Sequence, residues 1–256
     1  MEMTGNTILI TGGGTGIGRG LAEAFHALGN QVIIAGRRKE TLDKVTGAHP
    51  GMQFLLLYIG DPASIRSLAD QVEAKFPACN VLINNAGIMQ VEDLQDARQS
   101  LAAAESIVTT NLLGPIRLTA ALLPLLAKQA HSTIMNVSSG LAFVPLAMTP
   151  AYCATKAAIH SYTQSLRYQL KQTSVEVLEL IPPYVATELM GEHQAKDPRA
   201  MPLDAYISET MELLRTQPGV TEVCVETVKP LRFAVEGGHY DAVYNGLNGA
   251  YAAAAH

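Results

Sequence analysis

The stretch Leu9-Ile10-Thr11-Gly12-Gly13-Gly14-Thr15-Gly16-Ile17-Gly18-Arg19-Gly20 decides how the chain is read. Six of its last nine residues are glycine, and they follow directly on a short apolar run. A glycine-rich turn between a strand and a helix turns backbone N–H groups and the positive helix end toward a phosphate. Three turn patterns compete. P-loop spacing laid on Gly13 to Gly20 puts Arg19 where a lysine should reach the phosphates and Gly20 where a hydroxyl should hold magnesium, so both chemical positions fail. The pattern G-x-G-x-x-G begun at Gly12 needs a glycine at Ile17 and fails too. What fits is G-x-x-x-G-x-G on Gly12, Gly16 and Gly18, with Thr15 inside the turn and Ile17 opening the helix. Glycine-rich turns also serve packing alone, so this one needs support from the rest of the chain.

Around it, apolar runs at 7–11, 31–35, 53–59, 81–84, 133–137 and 175–181 alternate with helical patterns at 17–28, 40–46, 63–76, 101–127 and 150–172. Strands that read as continuous apolar runs are covered on both faces. The alternation predicts an α/β fold: one Rossmann-type, doubly wound parallel sheet of about six strands, with helices on both sides. Neither an internal repeat nor an interdomain linker is visible, so 1–256 reads as a single domain. Its cofactor half runs over about 5–138 and its catalytic and substrate half over about 139–250. After residue 181 the polar, proline-bearing stretch "LMGEHQAKDPRAMP" predicts a mobile loop, and helical periodicity resumes at 203–215 and 220–235. Ligands on such sheets sit at the carboxyl ends of the strands, so 188–215 is the natural lid. The closing "AYAAAAH" reads as a frayed, low-complexity end.

Composition removes several classes. A net charge of −5 gives no basic field for nucleic acid or an anionic membrane. Cys79, Cys153 and Cys224 have neither zinc spacing nor the pattern of a disulfide framework, which predicts a reducing, cytoplasmic setting. The seven histidines include no H-x-x-x-H pair, and no metal site is expected. The start "MEMTGNTILI" lacks a basic region followed by an apolar one, so no secretory signal is expected. The most apolar segment, 111–127, is broken by Gly114, Pro115, Arg117 and Pro124 and reads as too interrupted to span a bilayer.

Farther along, "NVSSGLAFVPLAMTPAYCATKAA" puts Tyr152 and Lys156 four residues apart, on one face of a predicted helix. Ser139 lies thirteen positions before Tyr152, at a strand end. With the glycine turn, "INNAG" (Asn84, Asn85, Ala86, Gly87), Asn111 in "TTNLLG" and "PPYVAT", the chain resembles the short-chain dehydrogenase/reductase family over roughly 5–190. Each motif is weak alone; in this order and at these distances they reinforce one another. Within the family the likeness is to carbonyl and ketone reductases that use NADPH.

A tyrosine, with an ordinary pKa of about 10, is a poor proton donor or acceptor near neutrality unless a nearby cation lowers it. Lys156 is placed to supply that cation. The resemblance implies that Lys156 also holds the nicotinamide ribose and that Asn111 anchors a water linking Lys156 to solvent. In reduction Tyr152 is expected to protonate a carbonyl oxygen while Ser139 orients it. Ser138 is the alternative serine, disfavoured by the spacing, and Cys153 reads as packing.

The second predicted strand ends Ala35-Gly36-Arg37-Arg38, without the carboxylate that accepts from a ribose 2′-hydroxyl. Arg37 and Arg38 instead suit a 2′-phosphate, so NADP(H) is the expected cofactor. It would contact Gly12, Thr15, Gly16, Ile17, Gly18, Arg37, Arg38, Asn85, Ala86, Gly87, Tyr152, Lys156, Pro182, Val185 and Thr187. One feature counts the other way: many NADP-dependent members carry a basic residue where this chain has Thr15.

The chain departs from the family pattern at three places. Tyr58 stands where members often have the aspartate that contacts adenine, leaving Asp61, Tyr58 or backbone to make that contact. The usual Pro-Gly is Pro182-Pro183, with Thr187 retained to reach the carboxamide. The usual glycine-ended seventh strand is not evident, since "TEVCVETVKPLRFAVEGGHYDAVYNGLN" reads as helix. A tetramer is therefore not assumed, and a homodimer through 101–127 and 150–172 is expected. The substrate pocket is expected from Leu141, Phe143, Val144, Pro145, Tyr184, Leu189 and Met190, apolar enough for a ketone or aldehyde with a hydrophobic arm. The rival reading is a catalytically silent, NADP(H)-sensing protein of the same fold. A pure sensor has no need of a proton donor, and the Ser139, Tyr152, Lys156 set argues against it.

Overall fold

The computed structural model describes residues 1–254, the side chains of 97–99 and 252–254 excepted. Seven parallel strands form one sheet in the order β3-β2-β1-β4-β5-β6-β7. They are β1 (Thr7–Thr11), β2 (Gln31–Gly36), β3 (Gln53–Leu56), β4 (Val81–Asn84), β5 (Ser132–Val137), β6 (Val175–Leu180) and β7 (Glu222–Val223). Helices α1 (Gly16–Ala27), α2 (Lys39–Ala48), α3 (Pro62–Lys75), α4 (Ala97–Val108), α5 (Gly114–Leu126) and α6 (Pro150–Leu170) connect them. After β6 come α7 (Glu192–Ala195), α8 (Leu203–Thr216), α9 (Lys229–Arg232) and α10 (Tyr240–Ala254). The expected doubly wound α/β sheet is present.

The wholly apolar centres of β1 and β2 explain the two-sided covering. Alternate residues of each strand feed two cores: Ile8, Ile10, Val32 and Ile34 pack on the side of α1 and α8, and Leu9, Ile33 and Leu82 on the side of α3 and α5. Strand order reverses between β1 and β4, which opens a crevice beyond their carboxyl ends at Thr11 and Asn84.

Three expectations need correction. A seventh strand exists: Glu222 and Val223 pair in register with Glu179 and Leu180 of β6. It is two residues long, too short for strand periodicity to register, and α9 follows it in place of the continuous helix expected over 220–235. The helix expected at 101–127 is one helical path, but it passes through a π-helical turn at Thr109–Leu113, which inserts Asn111 into the interior. Its span Ser100–Leu126 is long and apolar enough to cross a membrane by length and composition, despite the interruptions. Here Leu118, Leu122, Leu125 and Leu126 of that span lie in the core. Lastly, the closing segment is helical to Ala254; the last two residues of the "AYAAAAH" expectation lie outside those described.

The expected loop at 189–202 is tied down at both ends. Tyr184 O accepts from Met201 N at 2.8 Å and Met201 O from Ala186 N at 2.9 Å. The buried Gln194 side chain donates to Val185 O at 2.8 Å and to Thr187 Oγ1 at 3.2 Å.

Candidate active site

The glycine turn closes against the strand-end loop of β4. Thr11 Oγ1 accepts from the N–H groups of Asn85 and Ala86, both at 3.0 Å, and Asn85 Nδ2 donates to Thr11 O at 2.9 Å. Gly12 sits at φ +68°, where a side chain is strained, and a Cβ on Gly18 would lie 2.4 Å from Gly12 O. The two glycines thus let the turn and the "NNAG" loop approach as neighbouring walls. Asn84 serves the sheet instead. Its Nδ2 donates to Asn136 Oδ1 at 2.8 Å and Thr119 Oγ1 at 3.0 Å, joining β4 to β5 and α5.

Along these walls runs a cleft. One end is lined by Thr15, Arg37, Arg38, Tyr58, Asp61 and Gly87. The adjoining cavity, about 610 Å³, is lined by Gly12, Gly16, Ile17, Asn85, Ala86, Pro182, Val185 and Thr187, and reaches Ser139, Tyr152 and Lys156. Of the expected cofactor contacts only Gly18 is absent from the cleft lining, buried as the seat of the turn. Arg37 and Arg38 are exposed and line the same cleft end as Gly12, Gly14 and Thr15. Asp61 caps α3, accepting from Ala63 N at 2.9 Å, while Tyr58 is 54% exposed beside it. This cradle of glycines, helix N-terminus and guanidiniums fits a dinucleotide phosphate.

Helix α6 carries the expected Tyr152–Lys156 pair. Pro150 is placed where its missing N–H is harmless, and the Glu92 carboxylate accepts from Ala151 N at 2.9 Å. One turn apart, Tyr152 and Lys156 reach the carboxyl end of β5. Lys156 Nζ donates to Val137 O at 2.8 Å and lies 5.6 Å from the centroid of the Tyr152 ring. Ser139 Oγ accepts from Leu141 N at 3.1 Å, which fixes the oxygen and leaves its proton to donate. The Ser139 hydroxyl acts on the Tyr152 phenol, favouring its ionised form. Asn111, almost wholly buried, exchanges hydrogen bonds with the backbone of Ile88, accepting from N and donating to O at 2.8 Å each.

The electrostatics differ from the expectation for the tyrosine. Burial raises the phenol well above its ordinary pKa; the Ser139 hydrogen bond opposes this and Cys153 adds a little to the rise. The same burial lowers Lys156 to about 8, with Glu179 pulling the other way. Dehydration outweighs the nearby ammonium because both groups lie in the same dry pocket. Tyr152 is therefore protonated near neutrality, the state of a proton donor.

The expected substrate pocket divides. Leu141 packs with Tyr152, Leu146 and Ile107, and Leu189 lines the cleft. Phe143 turns away: it meets His160 edge-on at 4.7 Å and lies under the Arg232 guanidinium at 4.5 Å. Val144 is fully buried, and Pro145 is tied by its carbonyl to Asn248 Nδ2 at 3.2 Å. Met190 is absent from the cleft lining, its backbone N–H held by Gln194. Tyr184 donates to Asp197 Oδ2 at 3.2 Å and meets Tyr251 edge-on at 6.3 Å.

Sequence reasoning missed that α10 returns to the site, where its Leu247 and Tyr251 pack against the cluster holding Tyr152. It missed Glu92, Gln194 and the buried Glu179 as well. An acidic residue in the apolar run of β6 was the available signal for the last of these. Among the described residues, His160, Glu179 and Glu222 bring potential metal-ligating atoms within 4.8 Å of one another. Those atoms already have protein partners: Ser138 and His160 on Glu179, and Arg232 on Glu222. The three cysteines are free thiols.

Comparison with known proteins identifies the family. The family model for short chain dehydrogenases matches residues 6–198. The chain is 38% identical over 251 residues to the oxidoreductase DltE of Bacillus subtilis, covering 97% of this chain and 98% of that one. A short chain dehydrogenase from Burkholderia cenocepacia in complex with NADP superposes with a TM-score of 0.80 at 23% identity, covering 96% of this chain and 99% of the other. One from Burkholderia phymatum, in complex with NAD, gives 0.76 at 20% identity, with 94% and 96% covered.

Proposed function

The chain belongs to the short-chain dehydrogenase family of oxidoreductases, and on that premise we propose that it reduces a ketone or aldehyde carbonyl with NADPH, reversibly. The observation that carries this reading is the meeting of Tyr152, Ser139 and Lys156 at one end of the cleft whose other end presents Arg37 and Arg38.

The chemistry a bound reduced nicotinamide supplies is a hydride for the carbonyl carbon. The protein's own residues do the rest. Ser139 donates a hydrogen bond to the carbonyl oxygen, which orients it and draws charge toward it. The Tyr152 phenol, protonated through burial, passes its proton to that oxygen as negative charge develops there. Lys156, one helical turn away, stabilises the phenolate left behind and holds the ribose hydroxyls. Asn111 fixes the 109–113 turn against Ile88 and so shapes the path by which a proton returns to Lys156 from solvent.

Arg37 and Arg38, with no carboxylate at the end of β2, select a 2′-phosphate. NADP and NAD each occur in solved proteins of this fold, so these two residues carry the preference. Leu141, Leu189, Leu247 and Tyr251 make the substrate side apolar, suited to a small carbonyl compound with a hydrophobic arm. The chain acts as a homodimer in this reading; Leu101 and Tyr168, 61% and 69% exposed on α4 and α6, are the apolar surface such a contact would cover.

The deciding measurement is NADPH and NADH oxidation against aryl ketones, keto esters and aldehydes, for the purified protein and for Tyr152→Phe. Turnover that drops by about 10²–10⁴ in the variant supports the reductase and its proton donor. Tight NADPH binding with no turnover on any carbonyl overturns it in favour of a cofactor sensor.

A further inference from the structure

On β6, beside the strand end that meets Tyr152 and Lys156, lies a charge that the reaction as described does not use. Glu179 on β6 is 0% exposed. A carboxylate so placed is rare unless it is fully hydrogen-bonded and electrostatically balanced. One oxygen accepts from Ser138 Oγ at 2.5 Å and the other from His160 Nδ1 at 2.8 Å. His160 is half-buried on α6, one turn beyond Lys156, and its other ring nitrogen accepts from the exposed Gln164 amide at 3.1 Å.

The geometry converges on three consecutive residues at the end of β5. Val137 O is held by Lys156, Ser138 Oγ by Glu179, and Ser139 Oγ by Leu141 N. The strand end that presents the reactive serine is therefore clamped from α6 on one side and β6 on the other. The seventh strand adds the counterpart: Glu222 pairs in register with Glu179, and Arg232 from α9 neutralises it through Nε at 2.7 Å. Glu236 lies on the far side of Arg232 at 2.8 Å. That shell sets three carboxylates, Glu179, Glu222 and Glu236, against the Arg232 guanidinium and the Lys156 ammonium, and the Glu179 hydrogen bond raises the pKa of His160.

We propose that Glu179, linked to the surface by His160, is a positioning residue for the carbonyl reduction proposed above: it holds the end of β5 and supplies the buried negative charge that faces the Lys156 ammonium. The inference rests on that reductase reading for its catalytic consequence, and on the hydrogen bonds for its structural one. Glu179→Gln separates the two, because an amide can still accept from His160 Nδ1 and donate to Ser138 Oγ while carrying no charge.

The experiment follows NADPH binding, by fluorescence of the reduced nicotinamide, and carbonyl reduction from pH 6 to pH 10, for the wild-type protein, Glu179→Gln and Glu179→Asp. Thermal melting of each protein reports on folding. Without the facing anion, Lys156 loses its proton earlier. In Glu179→Gln the alkaline decline of binding and of kcat therefore moves acidward by about one pH unit. At pH 9 the variant is then about fivefold or more weaker than wild type, with near-parity at pH 6. Glu179→Asp, which restores the charge, returns the decline toward the wild-type position. Profiles of Glu179→Gln that superimpose on wild type in both readouts overturn the proposal, as does a uniform loss at every pH that follows a lowered melting temperature. A wild-type protein that binds NADPH but reduces no carbonyl sinks the reductase reading alone, since the binding profile still tests Glu179. One that binds no nicotinamide dinucleotide overturns both.

Discussion

Lys156 Nζ lies 5.6 Å from the centroid of the Tyr152 ring and gives a hydrogen bond to Val137 O at 2.8 Å, so its charge sits beside the phenol without touching the phenolic oxygen in the ligand-free protein. Burial lowers this lysine to about 8 and raises the tyrosine. The alkaline limb of carbonyl reduction is therefore set by Lys156, with activity falling as pH rises through about 8 while Tyr152 keeps its proton. Lys156→Met should lower kcat by about a hundredfold or more and abolish that limb. A pH profile of kcat/KM for both proteins checks this, and an unchanged limb in the variant would assign it to another group. Stability carries the opposite sign. Between about 8 and the ordinary value near 10.5 the unfolded chain holds a proton on this lysine that the folded chain does not. The penalty of burying Lys156 charged is thus present below about 8 and is relieved as pH rises across that window.

The cofactor preference hangs on two exposed side chains. Arg37 and Arg38 line one cleft end with Thr15, and Arg38 is also the N-cap residue of α2. A guanidinium on a phosphate contributes about 1.5–3 kcal/mol. Replacing Arg38 with Asp therefore removes the attraction and adds a repulsion, and NADPH kcat/KM should fall by about 10–100-fold or more. NADH should be used as well as before or better, since an aspartate there can accept from the 2′-hydroxyl. Steady-state kinetics with the two dinucleotides decides the point; an NADH preference already present in the wild-type protein would refute the role given to both arginines.

The legible part of the site was the part that the chain carries in local patterns. The glycine turn, the i, i+4 spacing of Tyr152 and Lys156 and the strand-end Ser139 are short-range features, and the sheet they stand on declares itself by apolar runs. What stayed hidden depends on long-range placement. Strand β7 has two residues and exists because β6 offers an edge for it. Phe143 faces Arg232 and His160 because α9 folds back over Gly140, where a Cβ would lie 2.7 Å from Leu231 Cδ1. Tyr251 packs against the cluster that holds Tyr152 from the last helix, about a hundred residues away in sequence. The electrostatic error has the same origin: a charge near a phenol is visible in spacing, whereas the loss of water around both is not.

Glu92 is placed to act through the helix that carries the pair. It is 8% exposed, and its Oε1 accepts from Ala151 N in the first turn of α6 while its own N–H donates to Met148 O at 2.9 Å. A carboxylate there satisfies an orphan donor and meets the positive helix end. Glu92→Ala is expected to cost about 1 kcal/mol, lowering Tm by about 2–4 °C. Glu92→Gln keeps the hydrogen bond and loses the charge, so its loss should be about half as large. Differential scanning calorimetry ranks the three proteins; equal melting temperatures would show that α6 needs no such cap.

Gly18 gives the most direct test of the turn itself. A Cβ there would stand 2.4 Å from Gly12 O and 2.4 Å from Asn85 Nδ2, and the first of these is backbone that cannot swing aside. Gly18→Ala must push the turn away from the "NNAG" loop, with an overpacking penalty of about 1–3 kcal/mol. The same displacement misaligns the N–H groups aimed at the phosphates, so NADPH affinity should fall with stability. Gly47→Ala on α2 is the control, since a Cβ there meets nothing within 4 Å and φ is not positive. It should leave NADPH binding unchanged and stabilise the helix by about 0.5–1 kcal/mol. Melting temperatures and NADPH titrations on both variants separate the effects. A Gly18→Ala protein that binds NADPH like the wild type would mean that the turn can open without loss, and that the phosphate is held elsewhere.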